Sequence, residues 1–140
     1  MLDAGTCLMN AENSQKIKLL LAEDDASMRR FLEITLQRAG YDVSSAEDGL
    51  AAMKIALSEK FDAVVADAMM PNMTGHDLCR MLRQNPDFKT VPLIILSGFA
   101  QEVSTTIEQD CADLYLVKGA DLKDELIDNL MKFTGEKSKS

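Results

Sequence analysis

The stretch FDAVVADAMMPNMTG, residues 61–75, decides the fold. At its centre, Ala63-Val64-Val65-Ala66 is apolar at every position, and the run stops on a carboxylate, Asp67. A strand without polar alternation is buried on both faces, as parallel strands are when helices cover both sides of a sheet. A carboxylate at the end of such a strand is costly unless it reaches water or a cation neutralises it. The run therefore poses a question about charge as well as about fold.

The same pattern continues on either side. Residues 16–22, KIKLLLA, read as a first strand. Met28, Phe31, Leu32, Thr35, Leu36 and Ala39 then mark one helix face at three-four spacing, and Gly40 stops it. Residues 41–46 form a short second strand, and 50–60 a helix with Leu50, Met53, Ile55, Ala56 and Leu57 on or beside its inner side. Residues 75–84 form a helix with Leu78, Met81 and Leu82 inward, ended before Pro86. Residues 91–96 repeat the fully apolar strand pattern. A weaker helix spans 99–109, with Val103 and Ile107 but also Ser104-Thr105-Thr106, which lower helix propensity. Residues 114–117 give a fifth strand, and 121–133 a last helix with Leu122, Leu126, Ile127, Leu130 and Phe133 inward. Five strands alternating with five helices imply βαβ crossovers and a doubly wound α/β fold around a parallel sheet. One domain spans 16–134, with an irregular extension at 1–15 and a polar tail at 135–140.

The bulk chemistry narrows the function classes. A net charge of −8 argues against nucleic-acid binding by this domain, because phosphate backbones demand clustered Lys and Arg. No apolar run approaches the roughly 20 residues of a membrane span. The start of the chain has neither the basic residues nor the apolar stretch of a signal peptide. Cys7, Cys79 and Cys111 lack zinc-ligand spacing and read as free thiols in a reducing compartment. The expectation is a soluble cytoplasmic protein that binds neither nucleic acid nor membrane.

Doubly wound sheets hold their ligands outside the carboxyl ends of the strands. The first strand runs into Glu23-Asp24-Asp25, the third into Asp67, the fourth into Ser97-Gly98 and the fifth into Lys118-Gly119. Acids gathered at one edge repel one another. A divalent cation that prefers oxygen relieves this, and magnesium suits one or two carboxylates plus waters and a phosphate.

With LLLAEDDASMRRFL, DAVVADAMMPNMTG, VPLIILSG and ADLYLVKG in this order, the chain resembles the receiver domains of two-component response regulators, in their single-domain, chemotaxis-type arrangement. Spacings of 43 residues from Asp24 to Asp67, 30 to Ser97 and 21 to Lys118 agree with that resemblance. It implies a flavodoxin-like (βα)5 fold with strand order 2-1-3-4-5. It also implies that Asp67 accepts a phosphoryl group from a sensor histidine kinase or histidine phosphotransfer protein. Asp24, Asp67 and the backbone carbonyl of Met69 would hold magnesium (or manganese in its place), with Glu23 acting directly or through water. Lys118 and Ser97 would contact the phosphoryl group, and Ala68, Gly98 and Phe99 would govern access to it. Asp25 would lie outside the metal shell and cap the first helix. Ser97 and Tyr115 would form the switch, which reshapes the face of the fourth helix, fifth strand and fifth helix for a downstream protein. The switch assists its own phosphorylation and dephosphorylation without being an enzyme acting on a separate substrate. Monomer or weak dimer is the expected state.

Two positions depart from the family pattern. Gly119 stands where proline is usual, so a trans or mobile Lys118-Gly119 peptide is expected. Met69 and Phe99 are apolar at positions that in the family influence how water reaches the aspartyl phosphate, which implies slow loss of the phosphoryl group. Few residues follow the last helix, so the expectation is a module without an output domain, or a receiver cut from a larger regulator or hybrid kinase. An aspartyl-nucleophile magnesium phosphatase would want an acid at Met69, and a flavin carrier a Ser/Thr/Gly-rich loop where Glu23-Asp24-Asp25 stands. His76, after Gly75 at a helix start, reads as a surface residue. Arg29, Arg30 and Arg38 read as a face for an acidic partner or for solvent.

Overall fold

A computed structural model describes residues 16–98 and 111–139. Its elements are β1 (Lys18–Ala22), α1 (Ala26–Arg38), β2 (Asp42–Ala46), α2 (Gly49–Ser58), β3 (Ala63–Asp67), α3 (Gly75–Arg83), a 3-10 turn (Pro86–Phe88), β4 (Leu93–Ser97), β5 (Leu114–Val117) and α4 (Leu122–Lys139). The strands form one parallel sheet in the order β2-β1-β3-β4-β5. This is the expected order; β3 lies at the centre with β1 and β4 on either side, which is why β3 and β4 are buried along their whole length. The helix expected at 99–109 and the extension at 1–15 lie outside the described residues.

Every residue of β3 and β4 is buried. Side chains alternate faces along a strand, so each strand feeds two cores. Leu20, Ala22, Val64, Ala66, Leu93 and Ile95 pack with α2 and α3, while Leu19, Leu21, Ala63, Val65, Ile94 and Leu96 pack with α1 and α4. Local signals start the helices. Asp25 caps α1 by accepting from Ser27 N–H at 3.3 Å, and Asp48 caps α2 by accepting from Ala51 N–H at 2.8 Å. Thr74 and Asp77 form a reciprocal capping box on α3. Gly40 follows α1 with φ of 102°, a conformation that favours glycine.

Several apolar positions expected inside are outside. Phe31, Leu50, Leu57, Met81 and Phe133 are exposed. Small residues take the buried places on α2: Ala52 and Ala56 in the core, and Gly49, where a Cβ would sit 2.6 Å from Met73 Cβ. A helix this close to a sheet leaves room for little more than a methyl group, so its larger neighbours are turned to its flanks. The last helix continues to Lys139, beyond its expected end at Phe133.

The free-thiol reading fails for two of the three cysteines. Cys79 on α3 and Cys111, just before β5, form a disulfide with Cα atoms 6.1 Å apart. Their 32-residue separation hid the pairing, which arises only when α3 crosses back over the sheet. Arg83 reinforces the junction. Its guanidinium donates to the carbonyls of Phe88 (2.9 Å), Val91 (2.7 Å) and Cys111 (3.1 Å) and pairs with Asp113 at 2.9 Å. Alkylation of the unfolded, air-oxidised protein is expected to count two fewer reactive thiols before reduction than after. Cys111→Ser is expected to cost about 3–4 kcal/mol in urea unfolding. Equal thiol counts before and after reduction would remove the cross-link from solution.

Candidate functional site

The carboxyl ends of β1, β3, β4 and β5 deliver their polar groups to one edge of the sheet. Parallel register does this: Ala22 aligns with Ala66, Asp67 with Leu96, and Ser97 with Val117. Glu23, Asp67, Ser97 and Lys118 therefore lie on, or one residue beyond, the last paired position of their strands, and Asp24 lies two beyond.

Glu23 and Asp67 are buried there, with 0% and 6% of their surface exposed, and Asp24 beside them is exposed. Ligand oxygens of these three carboxylates lie within 4.8 Å of one another. Lys118 Nζ reaches both buried acids, at 3.1 Å from Glu23 Oε1 and 3.1 Å from Asp67 Oδ2. Among the described residues, Lys118 is the cation that pairs with these acids, and it reaches two of the three. Glu23 Oε1, although near Lys118, makes no well-aligned hydrogen bond. Burial, a hydrogen bond to Asp67 and the charge of Asp67 push the Glu23 carboxyl up to about 7, against the pull of Lys118. Burial draws Lys118 down, but Glu23 and then Asp67 outweigh it, so its pKa stands above the ordinary lysine value.

The arrangement has room for more positive charge. A buried oxygen without an aligned donor, beside two further carboxylates, suits a hard cation with oxygen ligands. The donor set therefore fits a divalent ion held by Glu23, Asp24 and Asp67.

Without metal, the raised acid makes stability fall with rising pH. The folded pKa of Glu23 lies above its ordinary 4.5, so the folded chain binds that proton more tightly than the unfolded chain. The stabilisation is complete below the ordinary value and is lost as pH rises through about 7, to the extent of about 3 kcal/mol. In chelator, the urea midpoint is expected to drop between about pH 5 and about pH 8, and Glu23→Gln to flatten the drop. An identical slope in the variant would refute the assignment.

The loops around the acids are held by their own backbone. Asp25 N–H donates to Glu23 Oε2 at 3.2 Å, and Met69 N–H to Asp67 Oδ1 at 3.3 Å. Gly75 N–H donates to Ala68 O at 3.0 Å, and a Cβ on Gly75 would sit 2.5 Å from the Asp67 carbonyl oxygen. Only glycine lets α3 begin so close to this loop. Arg29 donates to Glu23 O at 3.0 Å. It is half-buried and supports the acidic loop, unlike Arg30 and Arg38, which are exposed.

Of the expected site residues, Glu23, Asp24, Asp67 and Lys118 come together as described. Ala68 is buried beside Asp67, and Met69 is 61% exposed at the rim. Ser97 is buried at the end of β4, and its carbonyl accepts from Lys118 N–H at 2.7 Å. A Cβ built on Gly98 meets nothing within 4 Å. Phe99 lies outside the described residues. Asp25 caps α1, as expected, and the described residues contain no cis peptide, Lys118-Gly119 included. Tyr115 is half-buried on β5. His76 corrects its surface reading: it is 9% exposed, and its Nε2 lies 3.1 Å from the Tyr115 hydroxyl. Its burial depends on β5, 39 residues away, which no local pattern reports.

Comparison with known proteins agrees with this geometry. The family described as the response regulator receiver domain matches residues 19–130. Response regulator ArlR of Staphylococcus saprophyticus is 36% identical over 110 residues, 78% of this chain and 49% of that protein. The probable transcriptional regulator ycf27 of Porphyridium aerugineum is 42% identical over 104 residues, 74% of this chain and 42% of that protein. The chain thus spans about half the length of these curated relatives. Among solved structures, chemotaxis response regulator CheY4 of Vibrio cholerae superposes with a TM-score of 0.77 at 30% identity, covering 84% of this chain and 98% of that one. Response regulator TrrA of Thermotoga maritima, solved with Mg(2+)-BeF, gives 0.76 at 29% identity, covering 84% and 98%. The receiver domain of sensor histidine kinase PA1611 of Pseudomonas aeruginosa, with magnesium in its active-site cleft, gives 0.79 at 27% identity, covering 86% and 98%.

Proposed function

This chain belongs to the response regulator receiver domain family, and from that premise we propose that Asp67 accepts a phosphoryl group from the phosphohistidine of a sensor kinase or phosphotransfer protein. One observation carries the reading. Three carboxylates converge within 4.8 Å at the sheet edge, and Lys118 lies 3.1 Å from two of them.

In the transfer, an Asp67 carboxylate oxygen bonds to phosphorus as the bond from phosphorus to the donor imidazole nitrogen breaks. The electron pair of that bond leaves with the imidazole. Such transfers are governed by positioning and charge neutralisation. Met69 N–H, 3.3 Å from Asp67 Oδ1, orients the carboxylate, and Lys118 offsets its charge from the Oδ2 side. The Ser97 hydroxyl donates to a phosphoryl oxygen, which approaches through the open space around Gly98, where a Cβ would meet nothing within 4 Å. Asp24, Asp67 and the Met69 carbonyl, with Glu23 directly or through water, would hold magnesium, which would supply further neutralisation of phosphoryl charge. Ser97 and Tyr115 then pass the change to the face that meets a downstream protein.

Met69 argues against the aspartyl phosphatase alternative. It offers no acid two residues beyond the nucleophile, and it stands exposed at the rim, where it cannot orient water. The length of the matched relatives favours a second reading of context, in which this receiver governs a longer regulator. One relative is named a probable transcriptional regulator, so control of transcription is one output to consider.

The test is intact mass after incubation with magnesium and acetyl phosphate. One phosphoryl increment is expected, none after chelation, and slow loss of the label once donor is removed. No increment under any condition would end the proposal.

A further inference from the structure

Tyr115 sits on β5, aligned with Ile95 of β4, while His76 belongs to the first turn of α3. The two rings stack at 22° with centroids 5.5 Å apart, and His76 Nε2 lies 3.1 Å from the tyrosine oxygen. Tyr115 also packs against the core cluster that contains Ala66, Ile95 and Leu78. To make these contacts the phenol lies inward over β4, on the α3 side of the sheet. Its partner helix is fastened to the phosphoacceptor loop, since Gly75 donates to Ala68 O and approaches the Asp67 carbonyl too closely for any other residue. A short path of contacts therefore joins Asp67 to Tyr115 through His76.

We propose that His76 is the positioning residue for Tyr115, holding the phenol in its inward packing so that this packing and phosphoryl binding at Asp67 favour each other. The inference rests on the phosphoacceptor reading above and adds a residue to it. Burial, and then the nearby Arg80, lower the His76 pKa, with Asp77 opposing them. The neutral ring can accept at Nε2 the proton that the tyrosine hydroxyl donates. A bond made in one of two packings shifts their balance by its own strength. For one neutral hydrogen bond that is about threefold to tenfold in affinity for a ligand that selects the packing.

The probe is beryllofluoride with magnesium, titrated by fluorine NMR into the whole chain and into His76→Leu, Tyr115→Phe and the double variant. His76→Leu is expected to weaken binding about threefold to tenfold, Tyr115→Phe similarly, and the double variant no more than Tyr115→Phe alone. His76→Gln, which keeps a hydrogen-bonding side chain, is expected to retain most of the native affinity. Native affinity in His76→Leu would overturn the proposal. So would an equal loss whether or not the tyrosine hydroxyl is present, which is the mark of a merely structural histidine. A native chain that binds no beryllofluoride would overturn the phosphoacceptor reading itself, and the role of His76 with it.

Discussion

Asp67→Asn is expected to take up no phosphoryl group from acetyl phosphate, with its intact mass unchanged under conditions that modify the native chain. The amide matches the carboxylate in shape but lacks the anionic oxygen that attacks phosphorus. The fold is expected to survive, and in chelator to gain stability above neutral pH. Asp67 raises the Glu23 pKa both by its hydrogen bond and by its charge, so its loss returns Glu23 towards ordinary carboxylate behaviour. Lys118 keeps Glu23 as a partner at 3.1 Å. The two measurements must agree: no mass gain, and a urea midpoint in chelator at or above the native one. A mass gain in the variant would place the nucleophile elsewhere.

Lys118→Ala is expected to slow phosphoryl uptake by about 10²–10³, the range typical when one prearranged charge-stabilising donor is removed. Its effect on the resting protein runs opposite to that of Asp67→Asn. Without the ammonium, Glu23 and Asp67 face each other buried and unpaired, a situation that costs about 3–5 kcal/mol when a buried pair is broken. The loss is expected to be greatest at alkaline pH in chelator and to shrink as magnesium is added. Lys118→Arg is not expected to restore the rate, because a planar fork cannot replace a compact ammonium set between two acids. Uptake is read by mass over a quenched time course. A native rate in Lys118→Ala would remove the lysine from the chemistry.

The parts of the fold that depend on near neighbours were legible in the chain. The unbroken apolar runs at Ala63 to Ala66 and Leu93 to Leu96 are the central buried strands, and the acids, Ser97 and Lys118 lie at the strand ends where the motifs predicted them. Less legible was which apolar helix residues face the sheet. Leu50 and Leu57 looked inward by hydropathy, yet Ala52 and Ala56 occupy the contact because α2 packs closely on β1 and β2. The side-chain contacts that α3 makes with distant residues were not legible. The Cys79–Cys111 bond, the Arg83 bond to Cys111 O and the burial of His76 against Tyr115 each join α3 to residues at least 28 positions onward. Arg29 was misplaced for a related reason, since nothing in a helical wheel reveals a guanidinium folded back onto the preceding loop.

Strand β5 hydrogen-bonds to the sheet on one side only. It is fastened at its root, where Cys111 is bonded to α3 and Arg83 grips the same peptide. Its far end is pinned as well, by the Lys118 N–H bond to Ser97 O at 2.7 Å and by the Lys118 ion pairs to Glu23 and Asp67 at 3.1 Å. An edge strand anchored at both ends couples the cross-linked root to the acidic cluster, so a change in the charge that Lys118 faces is felt along β5.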